Sequence, residues 1–193
     1  MYRKIFITLG CGLIILGLFG IAKASLMPIK AIIGQHYLEA AWKDSLKSNK
    51  LSKPWKSADF YMIGELTVPK FKISRVILNS VSGEALAWSI GRVNNVGSLS
   101  SRGPIILAGH RDSHMQFMSK LNIGDMIQLM MTDGVLKTYE ISQLEVTDKP
   151  ELEISYSSVD NHSLVLTTCW PFTVSKSGSQ RYIVVAHSVH NTV

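Results

Sequence analysis

Short apolar segments separated by turn signals fill the sequence from about residue 61 onward, and this pattern favours strands over long helices. Several segments are rich in Val, Ile, Thr and Tyr, which suit a pleated sheet. Asp133-Gly134, between two apolar runs, indicates a hairpin. The predicted strands are 62–68, 73–78, 85–90, 104–108, 125–131, 135–146, 163–168 and 181–187. Eight strands in one body predict an all-β barrel or sandwich.

Positive charge is concentrated in the first 59 residues. The chain has 193 residues and a formal net charge of +6, and this surplus falls entirely within residues 1–59. The remaining residues carry equal numbers of basic and acidic side chains. A nucleic-acid-binding domain is expected to carry its own basic face, so no nucleic-acid partner is predicted.

An uncharged stretch at residues 5–22 follows Arg3 and Lys4. As a helix it would be about 27 Å long, close to the ~30 Å hydrocarbon core of a bilayer. We predict a signal-anchor transmembrane segment over residues 1–30, with residues 5–22 in the cytoplasmic membrane. The protein would cross the membrane once, and the residues after the anchor would lie on the periplasmic side of the cytoplasmic membrane. A signal peptide cleaved near 22–24 and a buried soluble helix are the alternatives.

Residues 31–59 are predicted to be a basic helical stalk and linker. Leu38, Ala41, Trp42 and Leu46 recur at helical spacing, and lysines occupy the other faces. A solvated stalk helix is the favoured interpretation, with packing on the body or on a membrane surface as alternatives. Residues 60–193 form the predicted main domain.

The two cysteines are not expected to form a disulfide. Cys11 lies in the predicted membrane span and Cys169 in the exported body, so they could not meet. Cys169 would then be a single free thiol in an oxidising compartment. Both a reactive thiol and an inert buried one remain open at this point.

His110, Cys169 and Arg181 each stand at the end of a predicted strand. A thiolate attacks carbonyls and permits a thioester intermediate. Histidine can protonate a leaving amine and then deprotonate an incoming nucleophile, and a guanidinium can hold an oxyanion. Asp112 is the nearest candidate to orient the histidine. The three side chains would form a nucleophilic site if the strand ends meet at one rim.

The motifs around these residues resemble those of sortases. Gly-His-Arg-Asp-Ser-His follows an apolar strand at 109–114, and Thr-Cys-Trp-Pro-Phe stands at 168–172, with Arg181 opening a final strand. Both motifs are similar to those of the class GN subgroup, the marine proteobacterial sortases of Gram-negative bacteria. Residues 35–42 are similar to the helix that precedes its catalytic domain. The mild departures from the subgroup's pattern leave the three candidate positions intact.

This resemblance implies a closed eight-stranded barrel with short helices, and it makes residues 60–193 a cysteine transpeptidase domain. It implies Cys169 as the nucleophile, His110 as the general acid and base, Arg181 as the oxyanion or positioning group, and Thr168 as a substrate-binding residue. The implied partners are a Leu-Pro-x-Thr-Gly-like C-terminal sorting signal of a secreted protein and an acceptor amine, or water in its place. The resemblance implies no cofactor and no metal.

Three other interpretations remain open. His110, Asp112 and His114 stand at alternate positions and could ligate a metal in an exported β-barrel. An L,D-transpeptidase acting on peptidoglycan also uses a cysteine on a β-rich body, although Leu166-Thr167-Thr168 differs from the Ser-His-Gly that precedes its cysteine. A non-catalytic β-barrel that binds a partner is the third.

Overall fold

The computed structural model describes residues 2–48, 50–93, 104–148, 162–173 and 179–189. Its helices are α1 (Tyr2–Ser48), α2 (Gly83–Trp88) and the 3₁₀ helices Pro69–Phe71 and Gln116–Lys120. Its strands are β1 (Met62–Val68), β2 (Ile73–Leu78), β3 (Ile90–Arg92), β4 (Ile105–Ala108), β5 (Met126–Met131), β6 (Leu136–Thr147), β7 (Ser163–Cys169) and β8 (Arg181–Ser188).

The eight strands close into a barrel in the order β1-β2-β3-β4-β7-β8-β6-β5. The pairs β2–β3 and β4–β7 are parallel, and the other neighbours are antiparallel. The predicted closed eight-stranded barrel is confirmed. The hairpin expected at Asp133-Gly134 joins β5 to β6, and Gly134 has a φ of 75°, a value that glycine adopts without strain.

One face of every strand fills the barrel interior. Leu66 of β1, Ile127 of β5, Leu166 of β7 and Val184 of β8 are fully buried in this core. Because side chains alternate along a strand, the residues between them point outward. This alternation determines which side chains near the strand ends are available to a ligand.

The C-terminal turns of α1 belong to a second apolar cluster, outside the barrel. Leu38 and Trp42 are buried there against Phe60 and Met62. The Trp42 indole Nε1 donates to Glu65 Oε2 at 3.2 Å. These turns therefore pack on the body, which was the alternative to a solvated stalk.

The segment Met1–Tyr37 forms a compact unit of its own, separate from Leu38–Val193. Its helix exposes large apolar side chains, among them Leu13, Leu16 and Phe19. Across the parts of the chain that the structure describes, no helix combines the length and apolarity needed to cross a membrane. The transmembrane segment predicted within residues 1–30 is therefore not supported.

One predicted strand is wrong. Residues 85–90 were expected to be extended, but most of them belong to α2, and β3 begins only at Ile90. Ser82 explains the difference, because its hydroxyl accepts a hydrogen bond from the Ala85 amide at 3.1 Å and caps the helix. Glu84 in the first turn adds a favourable charge at the helix N-terminus.

Candidate active site

Cys169, the last residue of β7, is paired with Arg181, the first residue of β8. The two strands are antiparallel, and their register sets Cys169 directly opposite Arg181. Opposed residues carry their side chains on the same face, with Cβ atoms about 4.5–5.5 Å apart. Both residues are partly exposed. The fold therefore sets a thiol beside a guanidinium at an accessible strand end.

His110 lies just beyond the end of β4, on the other side of β7. β4 runs parallel to β7 through its four residues. One residue past this ladder, the Thr168 hydroxyl donates to the Gly109 carbonyl at 2.7 Å. The two segments are thus still linked at Gly109 and Thr168, and the exposed His110 and the partly exposed Cys169 follow these residues directly. The three predicted residues lie on three neighbouring strand ends.

Strand alternation assigns the side chains of Cys169 and Arg181 to the outside of the barrel. Leu166 points into the interior, whereas Val165 and Ile183 belong to a separate cluster on the outer face. Counting in twos from the outer residues reaches Cys169 on β7 and Arg181 on β8. Along β4, Ile106 belongs to the same outer cluster, and the exposed His110 follows the end of the strand. Cys169 and Arg181 therefore lie on the outer face of the barrel and not in its lumen.

A tight turn holds the backbone of His110. Its carbonyl accepts a hydrogen bond from the Met115 amide at 2.9 Å. The Met115 side chain is fully buried next to Gly109. A Cβ on Gly109 would lie 2.8 Å from Met115 Cγ and 3.1 Å from Ile90 Cγ2. Glycine therefore permits the close packing beneath the histidine.

Arg111 links the histidine turn to the segment after the cysteine. Its Nη1 donates to the Pro171 carbonyl at 2.6 Å. Hydrogen bonds from a charged donor are shorter and stronger than neutral ones. The sequence analysis assigned no role to Arg111 or to Met115. Their position beside His110 in the motif was the signal that could have identified them.

Thr168 is almost completely buried, with 3% of its surface exposed. Its hydroxyl donates to the Gly109 carbonyl and joins two strand ends. The substrate-binding role predicted for Thr168 stays a prediction, since the side chain itself offers little surface to a ligand.

His114 is half-buried and packs against α2. One of its ring nitrogens, Nε2, lies 3.3 Å from the Ala87 carbonyl. Burial lowers the pKa of His114, and the positive charge of Arg75 adds to this effect, while the bond to Ala87 opposes it. In the described ranges, no group of three or more His, Cys, Asp or Glu side chains is arranged to hold a metal ion. The alternative metal site at residues 110, 112 and 114 therefore gains no support.

Three aromatic rings form a cluster next to Cys169, and two of them, Phe172 and Tyr182, pack against the barrel core. Trp170 stacks on Tyr182 with ring centroids 5.5 Å apart, and Phe172 meets both rings edge-on. The Trp170 amide donates to the Gln180 carbonyl at 2.9 Å, which extends the β7–β8 pairing past Cys169. Partial burial raises the pKa of Tyr182. Trp170 is thereby held both by a backbone hydrogen bond and by the packing of its ring.

Comparison with known proteins identifies the family. A family model for the sortase domain matches residues 66–189. Sortase D of Bacillus subtilis is 28% identical over 147 residues, which cover 76% of this chain and 74% of that protein.

Solved structures of sortases are also similar to this chain. Sortase C1 of Streptococcus agalactiae is 25% identical with a TM-score of 0.54, covering 66% of this chain and 67% of that one. Sortase A of Corynebacterium diphtheriae is 18% identical with a TM-score of 0.57, covering 81% and 84%. The latter likeness is one of fold alone.

Proposed function

The chain belongs to the sortase family of transpeptidases, and we propose that Cys169, His110 and Arg181 carry out its acyl transfer. The observation that carries this proposal is the β7–β8 register, which sets Cys169 opposite Arg181. The Thr168–Gly109 hydrogen bond supports it by linking the segments that carry Cys169 and His110. A thiol, an imidazole and a guanidinium thus stand at three neighbouring strand ends, each at least partly exposed, which supports the proposal.

The reaction begins with attack of the Cys169 thiolate on the carbonyl carbon of a peptide bond. The carbonyl oxygen becomes an oxyanion, and the Arg181 guanidinium stabilises its charge. Protonated His110 gives its proton to the leaving amine as the C–N bond breaks. The products are a thioester on Cys169 and the released C-terminal fragment.

Transfer completes the cycle. An acceptor amine attacks the thioester carbonyl, neutral His110 takes the amine proton, and the thiolate leaves. The new amide is released and both side chains return to their starting states. Water in place of the amine gives hydrolysis.

We propose a C-terminal sorting signal of the Leu-Pro-x-Thr-Gly type as the substrate, cleaved between Thr and Gly. The support is the sortase resemblance of the motifs at 109–114 and 168–172. The same motifs are the basis for proposing class GN membership, while the curated relative is a sortase D. A dedicated secreted substrate protein and an amine acceptor are the proposed partners.

We further propose that the catalytic body works outside the cytoplasmic membrane. The uncharged sequence at 5–22 supports export, and the exposed apolar side chains of α1 support membrane attachment. Fractionation of cells expressing the full chain tests both points. Protease-accessible protein in the membrane fraction of spheroplasts is expected, and protein confined to the cytosol would contradict the proposal.

Product analysis tests the enzymatic proposal. The full-length chain is incubated with a Leu-Pro-x-Thr-Gly-type peptide and an amine, and the peptide products are identified by mass. We expect an amide joined at Thr, with turnover reduced by about 10³-fold or more in Cys169→Ala and His110→Ala. Ser163→Ala, at the opposite end of β7, is the control and should retain activity. Turnover in Cys169→Ala equal to that of the wild type would exclude the cysteine as nucleophile.

A further inference from the structure

Two hydrogen bonds tie the histidine turn to the cysteine segment. The Thr168 hydroxyl donates to the Gly109 carbonyl at 2.7 Å, and Arg111 Nη1 donates to the Pro171 carbonyl at 2.6 Å. Gly109 and Arg111 are the immediate neighbours of His110. In the cysteine segment, Thr168 and Pro171 lie on either side of Cys169. The two bonds therefore enclose the candidate acid–base group and the candidate nucleophile between them.

The strand ladder alone does not reach this pair. The β4–β7 register ends at Ala108 and Thr167, after which the chain following β4 turns away. His110 is exposed and stands outside the sheet. Its position relative to Cys169 therefore depends on contacts made by neighbouring side chains beyond the ladder.

We propose that Arg111 is a positioning residue, whose bond to the Pro171 carbonyl holds His110 and Cys169 at the separation that acyl transfer requires. The inference rests on the proposed function of those two residues. Arg111 is suited to this task because a guanidinium presents several N–H donors in a rigid planar fork.

The two arginines near the site have different surroundings. Arg111 Nη1 makes a short, partly buried bond to a backbone carbonyl on the other catalytic segment. Arg181 Nη1 makes 3.4 Å contacts to the Ser179 and Gln180 carbonyls of its own strand end. The short bond to the other segment is the observation that singles out Arg111 as the link between the two segments.

The test compares three variants of the full-length chain. Arg111→Met removes the donor and keeps much of the apolar stem, whereas Arg111→Lys keeps a cation able to reach a carbonyl. Ser163→Ala is the matched control, because it removes a hydroxyl 3.0 Å from His187 Nδ1 at the opposite end of β7. For each variant we would measure kcat and KM with a Leu-Pro-x-Thr-Gly-type peptide, the pH profile of Cys169 alkylation by iodoacetamide, and the melting temperature.

We expect Arg111→Met to lower kcat by about 10–100-fold, the scale of a small misplacement of reacting groups, with KM changed by less than about twofold. Arg111→Lys should restore part of kcat. The pH profile of alkylation should shift in Arg111→Met and stay unchanged in Ser163→Ala. A folded Arg111→Met with the kcat and pH profile of the wild type would overturn the proposal. A rise in KM with unchanged kcat would also overturn it, by indicating a substrate contact.

Two further outcomes separate this inference from the proposed function. If Arg111→Met does not fold, Arg111→Leu, which also lacks the donor, takes its place: a folded leucine variant with reduced kcat and a shifted profile supports positioning, and wild-type behaviour overturns it. If the wild-type chain itself forms no thioester on Cys169, the proposed function fails, and the Arg111 inference fails with it. A wild-type chain that forms the thioester, beside unaffected Arg111 variants, rejects the positioning role alone.

Discussion

Cys169 and Arg181 are direct cross-strand partners at the end of the β7–β8 ladder. Their pairing is a consequence of backbone register, which a shift of one residue would destroy by turning one side chain to the barrel interior. The Trp170–Gln180 backbone bond continues the pairing past the site and opposes such a shift. The register of two strands thus determines whether the thiol and the guanidinium share a face.

Arg181→Lys should reduce kcat far more than it reduces stability. Lysine keeps the charge but loses the planar set of donors that matches an oxyanion. The loss of one oxyanion donor costs about 10²–10³-fold in kcat, and we expect a value in this range. Steady-state kinetics and thermal melting of the same preparation provide the check, and iodoacetamide labelling of Cys169 should continue. Activity within about twofold of the wild type would rule out the proposed contact to the oxyanion.

Thr168→Val and Thr168→Ser separate two roles of this residue. Valine has a similar shape but cannot donate to the Gly109 carbonyl, so we expect about 1 kcal/mol of lost stability and a lower kcat. Serine keeps the hydroxyl and should behave more like the wild type. Chemical denaturation and kinetics measure both effects. A higher KM with unchanged kcat in Thr168→Val would instead support the substrate-binding role predicted for Thr168.

Gly109→Ala should disturb the histidine turn by a steric clash. The added Cβ would lie 2.8 Å from Met115 Cγ, and overpacking of this kind costs typically about 1–3 kcal/mol. Met115→Ala in the same chain removes that neighbour and should recover part of the activity lost by Gly109→Ala. A double-mutant cycle on unfolding free energy measures the coupling. Strictly additive effects of the two substitutions would contradict the proposed contact.

His114 should make stability depend on pH. Burial lowers its pKa below the ordinary value of 6.5, so the unfolded chain binds the proton more readily than the folded one. Its contribution is therefore fully present above pH 6.5 and is lost as the pH falls toward the lowered folded pKa. Thermal melts between pH 5 and pH 8 should show a drop below about 6.5 that is smaller in His114→Gln. Identical pH dependence in both proteins would contradict this assignment.

Most of the strand pattern could be predicted from the sequence because alternating apolar residues and turn signals are local. The exception, α2, depended on a serine cap whose effect competes with an apolar run. Burial of Trp42 against the body was also hard to predict, because an amphipathic helix does not specify what covers its apolar face. Such contacts depend on tertiary packing.

In the candidate site, too, local features could be predicted from the sequence and tertiary contacts could not. Cysteine, histidine and arginine at strand ends are visible in the sequence because their chemistry and their motifs are local. The Arg111–Pro171 bond joins residues 60 positions apart, and no local pattern indicates it. The fit of Gly109 over Met115 likewise required the folded backbone.

Intact-mass spectrometry of the full-length protein with a Leu-Pro-x-Thr-Gly-type peptide tests the central claim most directly. We predict an added mass equal to the acyl fragment, mapped to Cys169 after proteolysis, absent in Cys169→Ala and discharged when an amine is supplied. Amine-dependent transfer without any adduct on Cys169, or an adduct on another residue, would contradict the claim.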